Sequence, residues 1–318
     1  MKLIVLKKNL KDGLVAIERA ISENNNIQVL KCVLIKTVGN QIALSATNLE
    51  LAITAMVAGK IVENGGVVVP FSALSNIITN TDNERIVIDV KNNTLTINTD
   101  NYDAKIQGLP ENEFPIIPKI EKIEECLEIS SGVLREALNQ VAHAAQISEI
   151  RPELSGVLFD FNPSVLKLVA TDSFRLAEKT INDNQMKSSF KEPWRLIIPL
   201  KTVTEMARVF DDQLPISIYK DNNQVLIKNN KIELISRVLE GVYPDYEQII
   251  PKNTEIELIF ERDHLIQALK LVSTFSSKIN DVRFRVRGDK KVLDVYSANQ
   301  HLGENNYLIP VKISGPKD

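Results

Sequence analysis

Apolar residues fall at every second position in short blocks along this chain, and three of those blocks share one pattern. They read IALSATNLELAI (residues 42–53), LKLVATDSFRLAEK (residues 166–179) and VYSANQHLGENN (residues 295–306). Each carries an apolar run into an alanine (Ala46, Ala170 or Ala298), then a Thr or Asn and another polar residue. In the first two copies Ile42, Leu44 and Ala46, and Leu166, Leu168 and Ala170, keep the period of a strand with one buried face. The pattern predicts a strand that runs into a polar turn. The alanines are 124 and 128 residues apart, far longer than a solenoid repeat and the length of a whole domain.

A second period supports the repeat. Leu10, Leu14, Ile17 and Ile21, then Leu134, Ala137, Leu138 and Val141, then Leu265, Ala268, Leu269 and Val272 have the three- and four-residue spacing of an amphipathic helix. Ser130 or Ser131 is the expected N-cap of the second helix and Asp263 of the third. A further helix is expected in each complete repeat within VVVPFSALSNII (residues 67–78) and LIIPLKTVTEMARVF (residues 196–210), with Pro70 and Pro199 suited to the first turn. RIVIDV (residues 85–90) and TLTINT (residues 94–99) flank Lys91, Asn92 and Asn93, a composition that predicts a hairpin. The class is α+β with mostly antiparallel sheet.

Proline-rich segments divide the repeats. GLPENEFPIIPK (residues 108–119) and LEGVYPDYEQIIPK (residues 239–252) interrupt helix and central strand alike. The domains expected are residues 1–119, 120–251 and 252–318. The last is about half a period and lacks the second helix, so it reads as a fragment or a degenerate domain.

Composition is that of a soluble globular protein, 44% hydrophobic and 25% charged. The N-terminal apolar stretch is too short for a signal segment or a membrane span, which predicts a cytoplasmic protein with no membrane partner. Cys32 and Cys126 lie in different repeats without metal or redox spacing, so both read as inert. The net charge of −3 excludes a uniformly basic nucleic-acid binder, but not one whose basic residues share a single surface.

An enzyme needs a constellation, and His143, His264 and His301 occupy separate elements with no metalloprotease or triad pattern. Asp82, Glu84 and Asp89 are the only candidates for a metal-dependent nuclease, and they lack a second cluster. No Walker A loop or dinucleotide glycine fingerprint occurs. No cofactor is expected.

The repeat and its motifs resemble the bacterial DNA polymerase III beta subunit family, the sliding clamps, over essentially the whole chain. The resemblance is carried by TNLELAI (residues 47–53), GLPENEFP (residues 108–115), LSGVLFD (residues 154–160), ATDSFRLA (residues 170–177) and RVLEGVYPDYEQIIPKN (residues 237–253). It implies a tandem array of three DNA-clamp domains with sheet outside and helices inside, the third incomplete here. It further implies a non-catalytic processivity factor: a homodimeric ring around double-stranded DNA, without sequence preference, that tethers its partners. Those partners would be the polymerase III alpha subunit, the clamp loader and other clamp-binding-motif proteins. Sliding requires that DNA be held by topology and by phosphate attraction rather than by base readout.

The polar faces of the expected helices present Lys8, Lys11, Arg19, Arg135, Lys201, Arg208 and Lys270 as DNA-facing candidates, with solvated helix charge as the alternative. The family commonly has an arginine near Asn24, where this chain reads ENNNIQ (residues 23–28). Carried over by motif position, a peptide-binding cleft should contain Leu154, Thr171, Arg175, Leu176, Pro244 and Ile249. Arg175 would offer a planar donor fork or fix the turn by a salt bridge. Phe174 and Gln248 depart from the family and would alter the cleft's rim. Ring closure should use the strand around Ala104 and Ile106, with Phe275 as an apolar anchor. A peptide-binding adaptor that does not encircle DNA is the competing reading.

Overall fold

The computed structural model describes residues 1–22, 26–120, 123–210, 214–277 and 281–315. The chain divides into two compact units, Met1–Tyr243 and Pro244–Asp318.

The first unit contains two copies of one topology. The first copy runs β1 (Lys2–Leu6), α1 (Lys7–Glu18), β2 (Cys32–Val38), β3 (Gln41–Thr47), β4 (Leu51–Val57), β5 (Gly59–Glu63), β6 (Gly66–Pro70), α2 (Phe71–Asn80), β7 (Arg85–Lys91), β8 (Thr94–Asn98) and β9 (Asp103–Gln107). The second runs β10 (Leu127–Ser130), α3 (Ser131–Val141), β11 (Gly156–Asn162), β12 (Val165–Thr171), β13 (Leu176–Asn182), β14 (Met186–Ser188), β15 (Trp194–Pro199), α4 (Leu200–Val209), β16 (Pro215–Lys220), β17 (Gln224–Lys228) and β18 (Ile232–Arg237). Sheet order β5-β1-β7-β8-β9 in the first is matched by β14-β10-β16-β17-β18 in the second, and β4-β3-β2-β6 by β13-β12-β11-β15.

The two copies join edge to edge. β18 pairs antiparallel with β4, Leu234 opposite Ile53, so five strands of one repeat and four of the other make a continuous nine-stranded sheet. Pairing satisfies two edges that would otherwise expose backbone donors and acceptors. One apolar core, including Leu14, Ile53, Leu134, Phe159 and Leu234, runs through both repeats.

The expected helices form with their apolar stripes inward: Leu10, Leu14 and Ile17 on α1, and Leu134, Ala137, Leu138 and Val141 on α3, are buried. Their starts differ from expectation. Ser130 holds the N-cap position of α3, yet its side chain makes no capping bond. The first N–H groups donate instead to backbone carbonyls of neighbouring segments, Lys7 to Glu84 (2.7 Å), Ser131 to Leu214 (3.4 Å) and Leu200 to Ser155 (3.0 Å). A helix that leaves a strand directly has such acceptors beside it and needs no side-chain cap. Pro70 and Pro199 end their strands at the N-cap position, one residue before the first turn. α1 ends at Glu18, so Ile21 packs on the core from beyond the helix.

The β7–β8 hairpin forms as expected, with Asn92 and Asn93 at φ 49° and 60°, the left-handed pair that a tight hairpin turn needs. The first proline-rich segment is docked rather than free. Leu109 bridges to Val68, Phe114 is buried with Cys32, and Ile120 is buried with Ala52, Leu226 and Ile235. Gly108 begins it because a Cβ there would lie 2.6 Å from the Val68 carbonyl oxygen and 2.7 Å from that of Asn93.

In the second unit, β19 (Glu257–Ile259) pairs with β23 (Lys312–Ser314), and β20 (Arg283–Arg287), β21 (Val292–Asn299) and β22 (Gly303–Pro310) form a three-stranded sheet. α5 (Arg262–Val272) packs on β21 and β22, burying Ala268 and Val272 against Leu293, Val295 and Ile309. Glu261 is its N-cap, and Asp263 lies inside the first turn without capping it.

Candidate functional site

The repeated motif builds the same turn twice. In the first repeat the Thr47 hydroxyl accepts from the Leu49 N–H (3.0 Å) and donates to the Leu51 carbonyl (3.0 Å), while Asn48 Oδ1 accepts from the N–H groups of Glu50 (3.1 Å) and Leu51 (2.8 Å). In the second, the Thr171 hydroxyl accepts from Ser173 (3.1 Å) and donates to the Arg175 carbonyl (2.6 Å). Asp172 Oδ1 accepts from Phe174 (2.9 Å) and Arg175 (2.7 Å). The third residue is left-handed in both, Leu49 at φ 76° and Ser173 at φ 77°. Such a conformation is costly for a side chain with a Cβ, and the four capping bonds hold it. The third repeat keeps one of these bonds, Asn299 at the Thr position accepting from the His301 N–H (2.9 Å), but its left-handed residue is Gly303 at φ 109°.

Four of the candidate cleft residues, Leu154, Thr171, Arg175 and Leu176, lie in the second-repeat turn or on the segments beside it. Thr171 is buried and its hydroxyl is engaged by the turn. Arg175 is 60% exposed, and its Nε donates to Asp172 Oδ2 at 3.0 Å, the salt bridge that was the alternative to a free donor fork. The guanidinium keeps donors beyond that one bond. Leu176 is half-buried at the start of β13. Leu154 is buried in the one-turn helix Pro152–Leu154, and that loop is tied to the turn by Arg151, whose guanidinium donates to the Ser173 hydroxyl at 3.0 Å. Pro244 is half-buried and Ile249 exposed in the second unit.

Asp172 was not singled out from the sequence, although Asn48 occupies the same place in the first repeat. The N–H groups of Arg175 and Phe174, followed by the Arg175 guanidinium, hold its carboxyl well below the ordinary carboxylate range, at about 2. The turn is therefore charged and closed throughout the neutral range. It presents Phe174, 96% exposed, with Ile150 on the tied loop at 92%. Tyr243, within the second proline-rich segment, is buried; its hydroxyl donates to the Val169 carbonyl at 3.4 Å, and burial pushes its pKa up to about 12.

The basic candidates lie on the helices. Lys8, Lys11, Lys201 and Arg208 are exposed, on faces opposite the buried stripes of α1 and α4, and Arg135 is half-buried on α3. Arg19, just past α1, reaches α4 of the other repeat, where its Nε lies 3.7 Å from Glu205 Oε2. Its charge is thus shared with an acid of the neighbouring repeat. Lys270 is exposed on α5. The five α-helices among the described residues carry eight Lys or Arg against five Asp or Glu, the reverse of the chain's balance. Glu23, Asn24 and Asn25 lie outside the described residues.

β9 is an edge strand whose one neighbour is β8. Ile106 is buried and Ala104 half-buried, so an edge contact there would run through the backbone and through the exposed Asp103, Lys105 and Gln107. Phe275 is half-buried and packs near Gly303 within the second unit. Cys32 is buried and its thiol pKa raised by that burial. Asp82, Glu84 and Asp89 do not converge: among the described residues no three His, Cys, Asp or Glu side chains are grouped so as to hold a metal ion. No helix of the described residues is long and apolar enough to cross a membrane.

Family models agree with the internal repeat. The N-terminal domain of the DNA polymerase III beta subunit matches residues 1–118 and the central domain of the same subunit matches residues 128–245. The beta sliding clamp of Synechococcus elongatus is 26% identical over 322 residues, 99% of this chain and 85% of that protein. The sliding clamp of Bacillus subtilis superposes with a TM-score of 0.91 at 24% identity, and the DNA polymerase III beta subunit of Thermotoga maritima with 0.86 at 25%. Both superpositions cover 99% of this chain and 85% of the other.

Proposed function

The chain belongs to the DNA polymerase III beta subunit family, the sliding clamps, and from that membership we propose that it acts in the cytoplasm as a processivity factor, encircling duplex DNA as a head-to-tail homodimer. As a non-catalytic subunit it adds no chemistry to synthesis; it keeps a polymerase from leaving its template. The alpha subunit of polymerase III, the clamp loader and proteins with clamp-binding motifs are its partners in this reading.

The observation that carries it is the junction between the first two repeats. There a β9-type edge, β18, pairs with a β4-type edge. The first repeat's own β9 pairs with β8 on one side and with no described strand on the other, and β22 follows the Ala298 motif as β4 follows the Ala46 motif. The rule that joins repeats one and two therefore pairs β9 with the β22 strand of a second copy. Applied reciprocally, it makes a closed two-fold assembly. Helices with excess positive charge then attract phosphates without reading bases, as sliding demands.

Partners engage a peptide-binding surface built in the first unit on Leu154, Arg175 and Leu176. Apolar anchors bury there while Arg175 donates to the peptide backbone or a carboxylate. Thr171 serves by closing the turn that aims Arg175. The test is solution mass by light scattering together with retention on nicked circular and linearised DNA, with loader and ATP present. A dimer held on circles and lost from linear DNA is expected. A monomer, or equal retention on both forms, refutes encirclement.

A further inference from the structure

The tetrapeptide IIPK occurs twice, at residues 116–119 and 249–252, each time in the proline-rich segment that closes a repeat. The first copy lies within the unit Met1–Tyr243, where it crosses the join of β4 and β18 on the sheet face opposite α1 and α3. Ile117, Ile120 and Ile123 stand over Ala52, Leu226 and Ile235 and enclose a cavity of about 390 Å³. A second hollow of about 710 Å³ shares Ile117 and Lys119 with it and reaches Ile116, which is 94% exposed. The docked segment thus leaves an apolar groove along both sides of Ile117.

We propose that this junction is a second peptide-docking groove, taking a short extended peptide with two apolar side chains two positions apart and an acidic flank. Alternate residues of an extended peptide point the same way, and a cavity of this size is at the lower end of the range that holds small ligands. Ile117, Ile120 and Ile123 supply apolar contact on the linker side, and Ile123 is 47% exposed. Lys119 and Lys228 stand at the rim against Glu233. Lys228 Nζ is 4.9 Å from the centre of the Tyr219 ring, and that ring packs on the same apolar cluster. The rim is positive on balance, which favours a carboxylate beside the apolar anchors. The choice of a peptide rests on the cleft reading above, because Ile116 is the first-repeat counterpart of Ile249.

The test is methyl NMR of the full chain labelled at its isoleucine δ1 methyls. The probe is a blocked pentapeptide with leucine and phenylalanine at positions two and four and aspartate at both ends. The methyls of Ile117, Ile120, Ile123 and Ile235 should shift with added peptide, in the native chain and in Ile249→Asp alike. Ile123→Asp should weaken the response at least tenfold and Lys228→Glu three- to tenfold. Signals that stay fixed up to millimolar peptide, or move equally in Ile123→Asp, overturn the groove. The Ile249 methyl reports on the cleft separately. If it alone moves, the groove fails and the cleft stands; if it alone is silent, the groove stands and the cleft fails.

Discussion

The Asp172 turn separates two ways of holding a loop. Asp172→Ala removes the acceptor for the N–H groups of Phe174 and Arg175 and the partner of the Arg175 guanidinium together. Asp172→Asn keeps the Oδ1 acceptor, as Asn48 does in the first repeat, and loses only the ion pair. Loss of a side-chain cap of this kind costs about 0.5–2 kcal/mol. Arg175 is more than half exposed, so its pair with Asp172 is worth about 0–1 kcal/mol after solvent screening. The alanine variant should therefore lose about 1–2 kcal/mol and the asparagine variant about half a kcal/mol or less. Urea unfolding followed by Trp194 fluorescence reads both, because that sole tryptophan is buried between Phe161 and Phe190 in the same repeat. The pH dependence has a definite sign. The folded-state pKa is depressed to about 2, so the carboxylate's contribution is complete above the unfolded pKa near 4 and disappears as pH falls through about 2. The cost of Asp172→Ala should be constant from pH 5 to 8. Peptide affinity should fall further in the alanine variant than in the asparagine one, since only the former removes the acceptor that holds the backbone N–H groups of Phe174 and Arg175. Equal destabilisation by both variants at neutral pH would show that the ion pair, not the backbone cap, holds the turn.

Four further outcomes are expected. Leu234→Ala, which empties a fully buried site opposite Ile53 at the repeat junction, should cost about 2–5 kcal/mol, with one unfolding transition in which both repeats melt together; two resolved transitions in calorimetry would contradict the shared core. Leu49→Gly relieves a left-handed side chain and should raise the urea midpoint, by up to about 1 kcal/mol of stability; a lowered midpoint would show that strain at this position is outweighed by the side chain's own contribution. Tyr243 has its pKa raised to about 12, so its contribution is intact below pH 10 and falls between pH 10 and 12, and thermal melts of Tyr243→Phe should converge with the native protein as pH rises through that window. Lys201→Glu with Arg208→Glu, both exposed on α4, should leave the melting temperature unchanged and reduce the salt slope of DNA binding by about 1–2; an unaltered slope would remove α4 from the DNA-facing surface.

Periodicity alone determined the elements of this protein. A strand with one wet face must alternate and a helix with one dry stripe must repeat every three or four residues, so β3, β12, α1, α3 and α5 were legible as written. The Asn92-Asn93 turn was legible for a similar local reason, since asparagine tolerates left-handed backbone. Local pattern failed where the partner lay far away in sequence. Ser130 and Asp263 looked like caps, but α1, α3 and α4 take their first acceptors from Glu84, Leu214 and Ser155. Leu49 and Ser173 showed no sign of left-handed geometry, because the Thr, Asn and Asp side chains that impose it act through bonds visible only in three dimensions. The same division holds for the candidate site. The motif marked Arg175, Leu154 and Leu176 by resemblance, whereas only the folded chain tied Arg175 to Asp172, Arg151 to Ser173 and Arg19 to Glu205. The sequence by itself determined that one domain is repeated and where its apolar faces lie, because burial leaves a period in the chain. The tertiary structure decided which edge strand meets which, since backbone donors and acceptors are the same in every residue but proline and leave no trace in the order of side chains.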